Sequence, residues 1–335
     1  EELVEIIAQE GKSYSEAAGQ LNSLLDYMKF YGEEVKRVYD IGIPEYGAAR
    51  GKSYHTIIRR PLGVVVAHLP WNSPVSLLGV KLAPAMASGC PCVLKPSTST
   101  PLGSLRLAEI LQEVGLPAGA VNVISGPASV IGKYLNASKI PQMVTMVGSS
   151  EAGVEVMQQA STSIKSFSFE LGGNAPCIIM PDADLAEIIP WMCNRKVFFT
   201  GQGCANVNRI YINESIHDAF VPRLTVEVKR VQIGWGNDMP KARGPLINLR
   251  NRDNMLALIE KPVAQGATMT YGGKPADLPE GLADGAYILP TVLDGCTDEM
   301  EIADTEIFGP VFTIYTFTDL DDVIQRANNT KYGLS

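Results

Sequence analysis

Between residues 63 and 147, short apolar runs alternate with amphipathic stretches, and this alternation constrains the fold more than any other feature of the chain. The runs 63–67, 92–94, 121–124 and 143–147 are rich in Val, Ile, Leu and Met, which is the signature of buried strands. Between them, residues 76–87, 101–114 and 130–135 read as helices. Strand and helix in strict alternation build a parallel sheet covered by helices on both faces. Such sheets hold ligands beyond the carboxyl ends of their strands. Asn72, Lys95, Gly126 and Gly148 each follow an expected strand, so ligand contacts are expected to cluster there.

The second half repeats the style, with strands at 177–180 and 209–212 and helices over 185–198, 216–230 and 251–265. A second α/β domain is therefore expected from about residue 172. Residues 1–40 space Leu3, Ile6 and Ile7, then Leu21, Leu24, Leu25 and Met28, at helical intervals and read as two surface helices. Residues 43–61 change to short polar alternation and read as an extended hairpin. Gly and Pro punctuate 272–290, which reads as surface loops around a short strand.

A chain of 335 residues with 46% hydrophobic and 19% charged residues can bury a large core divided between two domains. Its formal charge of −8, with no basic cluster, argues against nucleic acid or an anionic membrane as partner and makes a small molecule the default ligand. No run of about 18 uncharged apolar residues is present, and no basic-then-apolar signal pattern opens the chain. Six cysteines, mostly inside apolar stretches of a chain this large, point to a reducing compartment and a cytoplasmic location rather than a disulfide scaffold. Cys90 and Cys92 flank one proline and read as core residues. His55, His68 and His217 share no ligand spacing, so no metal site is expected.

Two short motifs carry chemistry. Cys204 ends the run Phe198-Phe199-Thr200-Gly201-Gln202-Gly203-Cys204, and Glu170 opens Glu170-Leu171-Gly172-Gly173. A glycine-flanked cysteine at a bend can face substrate, and a glutamate before a Gly-Gly turn can face the same space, which pairs a thiol nucleophile with a carboxylate base. Taken singly, they could also be a buried helix-cap cysteine and a solvated strand-end glutamate.

Both motifs resemble those of the NAD(P)-dependent aldehyde dehydrogenase superfamily, in its hydrolytic, non-acylating branch. So do Pro70-Trp71-Asn72-Ser73-Pro74, Leu94-Lys95-Pro96-Ser97, Val147-Gly148-Ser149-Ser150-Glu151, Gly244-Pro245-Leu246-Ile247-Asn248 and Glu306-Ile307-Phe308-Gly309-Pro310-Val311, all in family order along nearly the whole chain. The resemblance implies an aldehyde dehydrogenase-like α/β fold: a cofactor domain over 1–171 with the 43–61 hairpin as oligomer arm, and a catalytic domain over 172–335. It implies thiolate attack by Cys204 on an aldehyde, hydride loss to nicotinamide, and a thioester that Glu170 opens with water. Coenzyme A-acylating members lack this glutamate. Asn72 resembles the oxyanion-hole amide, acting with the cysteine N–H; alone it would mean only a turn.

The cofactor residues implied are Leu69, Pro70, Trp71, Lys95, Ser97, Thr98, Gly132, Gly148, Ser149, Leu171, Glu306 and Phe308. Lys95 resembles the lysine that binds the adenosine ribose, Gly148 and Ser149 the pyrophosphate turn at a helix N-terminus, and Glu306 with Phe308 the nicotinamide-ribose site. Thr98 stands where many NAD-preferring relatives carry a glutamate. Because threonine does not repel a 2′-phosphate, NAD and NADP both stay open.

The pattern also departs from the family. Phe199 and Thr200 replace an asparagine-containing pair, which reshapes the aldehyde pocket. Val80 stands where relatives acting on succinic semialdehyde carry an arginine. With Ser73 and Leu77 it gives an apolar mouth suited to a small neutral aldehyde. The chain opens at Glu1 and stops at Ser335 where family members continue, so it is expected to be cut at both ends, with a homodimer or homotetramer as the full-length assembly. Two other readings use the same residues: a cysteine esterase or amidase without redox chemistry, and an inert cofactor-binding fragment.

Overall fold

The computed structural model describes residues 1–43 and 55–335. Contacts divide the chain into two units: Gly19–Phe169, and Glu1–Ala18 together with Glu170–Ser335. Each is an α/β layer structure.

The first unit is built on β3 (Val65–His68), β4 (Cys92–Lys95), β5 (Val121–Val123), β6 (Met143–Val147) and β7 (Ser166–Glu170), in the spatial order β5-β4-β3-β6-β7. β3 pairs in parallel with both β4 and β6, and β4 with β5. The alternation read from the sequence is realised by α3 (Pro74–Ala87), α4 (Leu102–Glu113), α5 (Lys133–Ala137) and α6 (Ser150–Ala160). Val65, Val66 and Ala67 are buried on both faces of β3, as a strand covered by helices on each side must be. The chain runs from β3 outward to β5, then returns to the opposite side of β3 as β6. The switch point therefore lies between the carboxyl ends of β3 and β6, where a doubly wound sheet opens a ligand crevice.

Ahead of this sheet, α2 (Tyr14–Glu34) leads to a two-stranded ribbon in which β1 (Ile41–Ile43) pairs antiparallel with β2 (His55–Ile57). These strands flank the expected hairpin, whose residues 44–54 lie outside the described residues.

The second unit centres on β8 (Ala175–Ile179), β9 (Val207–Asn213), β10 (Thr268–Tyr271), β11 (Thr291–Asp294) and β12 (Val311–Phe317), in the order β10-β11-β12-β9-β8. All neighbours are parallel except β10 against β11. One face packs Ile210, Ile212, Phe312 and Ile314 against α7 (Leu185–Val197) and α8 (Glu214–Lys229). The other packs Tyr211, Leu293 and Tyr315 with residues of α9 (Leu249–Ala264) and α10 (Leu320–Asn328). Period-two alternation along β9 and β12 thus feeds two apolar layers. Asp184, Asn213, Asn248 and Asp319 cap these four helices by accepting from backbone N–H groups of the first turn.

The N-terminal stretch departs from the expected pair of surface helices. α1 (Glu2–Gln9) and the start of α2 belong to the second unit, with Ile7, Ala8 and Ala17 fully buried. Lys12 and Glu16 are buried there as well, which apolar periodicity alone could not signal.

Lys196, near the end of α7, is fully buried, and its Nζ has no hydrogen-bond partner among the described residues. Burial pushes its ammonium down to about 7, and that of Lys12 down to about 8 despite the charges of Glu16 and Glu10. Each lysine binds fewer protons folded than unfolded between its folded value, about 7 for Lys196 and about 8 for Lys12, and the ordinary 10.5, so its contribution to stability grows as pH rises through that window. From about pH 9 upward the buried thiols of Cys92 and Cys296, pushed up to about 12, act in the opposite direction. Thermal melts from pH 7 to 8 should show stability rising by at most roughly 1 kcal/mol per pH unit per lysine. Lys196→Met should be more stable at pH 7 and show a flatter slope; an unchanged slope would mean that Lys196 is solvated.

Candidate active site

Three segments of the second unit enter adjacent parallel strands from their amino ends. The segment with Glu170, Leu171, Gly172 and Gly173 leads into β8, that with Gly201 to Asn206 into β9, and that with Glu306 to Gly309 into β12. Since β8, β9 and β12 are neighbours, the three segments converge on one edge of the sheet.

Their approach is backbone to backbone. A Cβ on Gly173 would collide with the carbonyl oxygen of Cys204 and lie 2.8 Å from that of Leu334. One on Gly172 would lie 2.5 Å from Oε2 of Glu306. Gly201, at φ 73°, faces the Gly309 carbonyl and the Pro310 nitrogen so closely that no side chain fits. The Gly173 N–H donates to Oε1 of Glu306 at 3.2 Å, tying the first segment to the third. Asn174 and Asn208 extend the tie: Asn208 Nδ2 donates to Asn174 Oδ1 (2.6 Å) and to the Thr305 carbonyl (2.7 Å), while its Oδ1 accepts from the Ile307 N–H (3.2 Å).

Cys204 is half-buried on the loop before β9. Burial pushes its thiol up; the backbone N–H groups of Ala205 and Cys204 oppose this, while the charges of Glu306 and Glu170 reinforce it. Both carboxylates thus act electrostatically on the sulfur. Glu170, the last residue of β7, is half-buried, as are Leu171, Glu306 and Phe308.

The loop ahead of Cys204 is strained. Phe199 (φ 51°, ψ 32°) and Thr200 (φ 55°, ψ 37°) both adopt the left-handed helical conformation and Gly201 follows at φ 73°. For residues with a Cβ this costs about 1–2 kcal/mol each. Polar contacts offset it. Thr200 donates to the Gly244 carbonyl at 2.8 Å. Buried Gln202 donates to the carbonyls of Phe199 (3.0 Å) and Pro245 (3.3 Å) and accepts from the Ile247 N–H (2.9 Å). The motif Gly244-Pro245-Leu246-Ile247-Asn248 is thereby explained as the bed of the cysteine loop.

In the first unit, the remaining expected residues cluster at the carboxyl ends of the strands. Lys95 ends β4 only 5% exposed; its Nζ donates to the Pro96 carbonyl at 3.3 Å, and burial lowers its ammonium. Gly132 adjoins it: a Cβ there would lie 3.8 Å from Lys95 Cε and 3.8 Å from His68 Cε1. Ser97 is half-buried and Thr98 exposed. Leu69, Pro70, Trp71 and Asn72 follow β3, with Leu69 and Asn72 buried and the Trp71 carbonyl accepting from Thr100 at 3.4 Å. Gly148 and Ser149 follow β6, and Ser149 caps α6 by accepting from the Ala152 N–H at 3.2 Å. These last two groups flank the switch point, where an anion would meet a helix N-terminus.

The sequence reading did not single out Lys12, Glu16 and Arg243, which contact the cysteine loop from the N-terminal segment and the stretch before α9. Their only signal was charge, at positions that are buried for Lys12 and Glu16 and half-buried for Arg243.

The model of the aldehyde dehydrogenase family matches residues 1–335. The chain is 35% identical to the glutarate-semialdehyde dehydrogenase of Pseudomonas aeruginosa over 98% of its own length, and 34% identical to the NADP(+) succinate-semialdehyde dehydrogenase of Escherichia coli over 98%. It spans 66% of the length of each of these relatives. The crystal structure of a betaine aldehyde dehydrogenase from Staphylococcus aureus in complex with NAD+ matches 99% of the chain, and 67% of that structure, with a TM-score of 0.94 at 32% identity. The chain belongs to the aldehyde dehydrogenase family.

Proposed function

We propose that this chain carries the machinery of a dehydrogenase that oxidises a small neutral aldehyde to the carboxylic acid with NAD or NADP. The observation that carries this reading is the convergence of Cys204, Glu170 and Glu306 on one sheet edge. Cys204 gives its proton to water and its sulfur bonds to the aldehyde carbon, placing the former carbonyl pair on oxygen as an alkoxide. Asn72, assigned on the resemblance, and the Cys204 N–H donate to that oxygen; one such donor is worth roughly 10² to 10³ in turnover. When bound, a nicotinamide dinucleotide would accept the hydride that leaves as the C–H bond of the former aldehyde carbon breaks, and the alkoxide pair re-forms the carbonyl of a thioester on Cys204. Glu170 then takes a proton from water as the water oxygen bonds to the thioester carbon, the C–S bond breaks, and thiolate and carboxylic acid part. An esterase would leave the buried Lys95 and the Glu306 tie without a role.

Lys95, Ser97, Thr98 and Gly132 are assigned to the adenosine half of the cofactor, Leu69, Pro70 and Trp71 to the segment lining it, Gly148 and Ser149 to the pyrophosphate, and Leu171, Glu306 and Phe308 to the nicotinamide side. Exposed Thr98 presents no negative charge to a 2′-phosphate, in keeping with use of either dinucleotide. Relatives of this chain include one named for NADP(+) and one crystallised with NAD+. A homodimer or homotetramer of the parent protein is supported by the exposed Ile41, Ile43 and Ile57 of the ribbon, and a cytoplasmic location by six unpaired cysteines.

The relatives named for succinate and glutarate semialdehydes favour a second reading, a substrate with a distal carboxylate. Val80 argues against it: Ser73 at the N-cap of α3 and Leu77 and Val80 on the helix lie at successive one-turn spacings and offer that carboxylate no cation.

Two experiments test these assignments. With aldehyde and either dinucleotide, Cys204→Ala should abolish formation of reduced nicotinamide, while Glu170→Gln should lower steady-state turnover by roughly 10²-fold or more yet retain a first burst of reduction. Full turnover by Cys204→Ala would refute the nucleophile. Compared on butanal and succinic semialdehyde, the natural chain should prefer butanal, and Val80→Arg should shift the kcat/KM ratio toward the semialdehyde by roughly tenfold, the worth of one ion pair of about 1.4 kcal/mol. A natural chain that already prefers the semialdehyde would overturn the neutral-substrate reading.

A further inference from the structure

The left-handed turn before Cys204 is held from a direction that the catalytic reading leaves unused. Glu16, 2% exposed, accepts the Phe199 N–H at 2.7 Å and the Arg243 guanidinium at 2.8 Å on one carboxylate oxygen, and the Ser13 N–H at 3.1 Å on the other. Arg243 also donates to Asn194 of α7 at 2.7 Å and lies 6.0 Å from the Phe198 ring. Lys12 places its ammonium 5.1 Å from the Phe199 ring centre. A buried carboxylate, the half-buried guanidinium paired with it and a cation–π contact thus converge on the residues that carry the strain.

The arrangement is economical in its chemistry. Phe199 and Thr200 have no intrinsic preference for positive φ; asparagine or glycine would adopt it with far less strain. Something outside the loop must therefore select the conformation, and the Phe199 N–H, at the first left-handed residue, is where Glu16 takes hold. Five residues on stands the sulfur.

We propose that Glu16 and Arg243, with Lys12 packed on Phe199, form a clamp that imposes the left-handed turn and thereby sets the direction of the Cys204 thiol. They are positioning residues for the nucleophile. The inference rests on the reading of Cys204 as nucleophile, and its test separates the two. When the clamp is released the loop relaxes, so turnover falls while the half-buried thiol opens to solvent.

The test measures steady-state kinetics beside the rate at which iodoacetamide modifies each cysteine, followed by peptide mass. In Glu16→Gln and Arg243→Ala, kcat should fall at least tenfold with KM changed less than threefold, and alkylation of Cys204 should rise at least fivefold while Cys92 and Cys296 stay protected. Arg243 borders an open cleft of about 240 Å³, so added guanidinium should restore part of the kcat of Arg243→Ala. Glycine in place of Phe199 accepts positive φ without a Cβ clash. The double variant Glu16→Gln with Phe199→Gly should therefore regain activity over Glu16→Gln alone. Unchanged Cys204 alkylation, or a rise shared equally by Cys92 and Cys296, overturns the clamp. Turnover retained by Cys204→Ala instead overturns the nucleophile reading.

Discussion

At the amino edge of the second sheet, polypeptide backbones touch with no side chain between them, and the site depends on that contact. Gly173 against Cys204 and Gly201 against Gly309 bring the backbones together, and Gly172 leaves room for the Glu306 carboxylate beside them. A Cβ on Gly173 or Gly201 would part the segments, because protein interiors are packed too densely to absorb an added methyl group. Strand order supplies the rest: β8, β9 and β12 are neighbours, so residues far apart in sequence meet without a long loop.

The two units use opposite ends of their strands. In the first, the expected ligand residues follow strands, at the carboxyl ends that flank a topological switch, as a doubly wound sheet favours. In the second, the residues proposed to react precede strands. The difference matters for electrostatics. Backbone N–H groups and a helix N-terminus beyond β6 suit a phosphate, whereas the edge that holds Cys204 gathers Glu170 and Glu306 and raises the thiol. In the free protein the sulfur is thus kept protonated, and its activation requires a base or a nearby positive charge.

Much of this was legible in the residues, for identifiable reasons. Strands such as 143–147 and helices such as 185–198 announced themselves because burial on two faces, or on one stripe, leaves a periodic trace. Cys204 and Glu170 could be singled out because Gly203 precedes the one and Gly172-Gly173 closely follow the other. The bed formed by residues 244–248 was visible as a motif but had no physical meaning until Gln202 and Thr200 were seen to bond its carbonyls. The N-terminal segment was misread as a solvated surface, since Lys12 and Glu16 look like surface residues unless their partner is known. Arg243 lies more than two hundred residues away, and no local pattern links it to Glu16. The left-handed conformation of Phe199 and Thr200 was equally hidden, because it contradicts their propensities and is imposed by tertiary contacts.

The central claim is that Cys204 carries the substrate as a thioester that Glu170 releases. Its most direct test is the mass of the Cys204 peptide after Glu170→Gln protein is mixed with an aldehyde and oxidised dinucleotide and quenched in acid. The account predicts a peptide heavier by the acyl group, appearing in step with reduced nicotinamide and persisting because water is no longer activated. An unmodified Cys204 peptide accompanied by free carboxylic acid would contradict it.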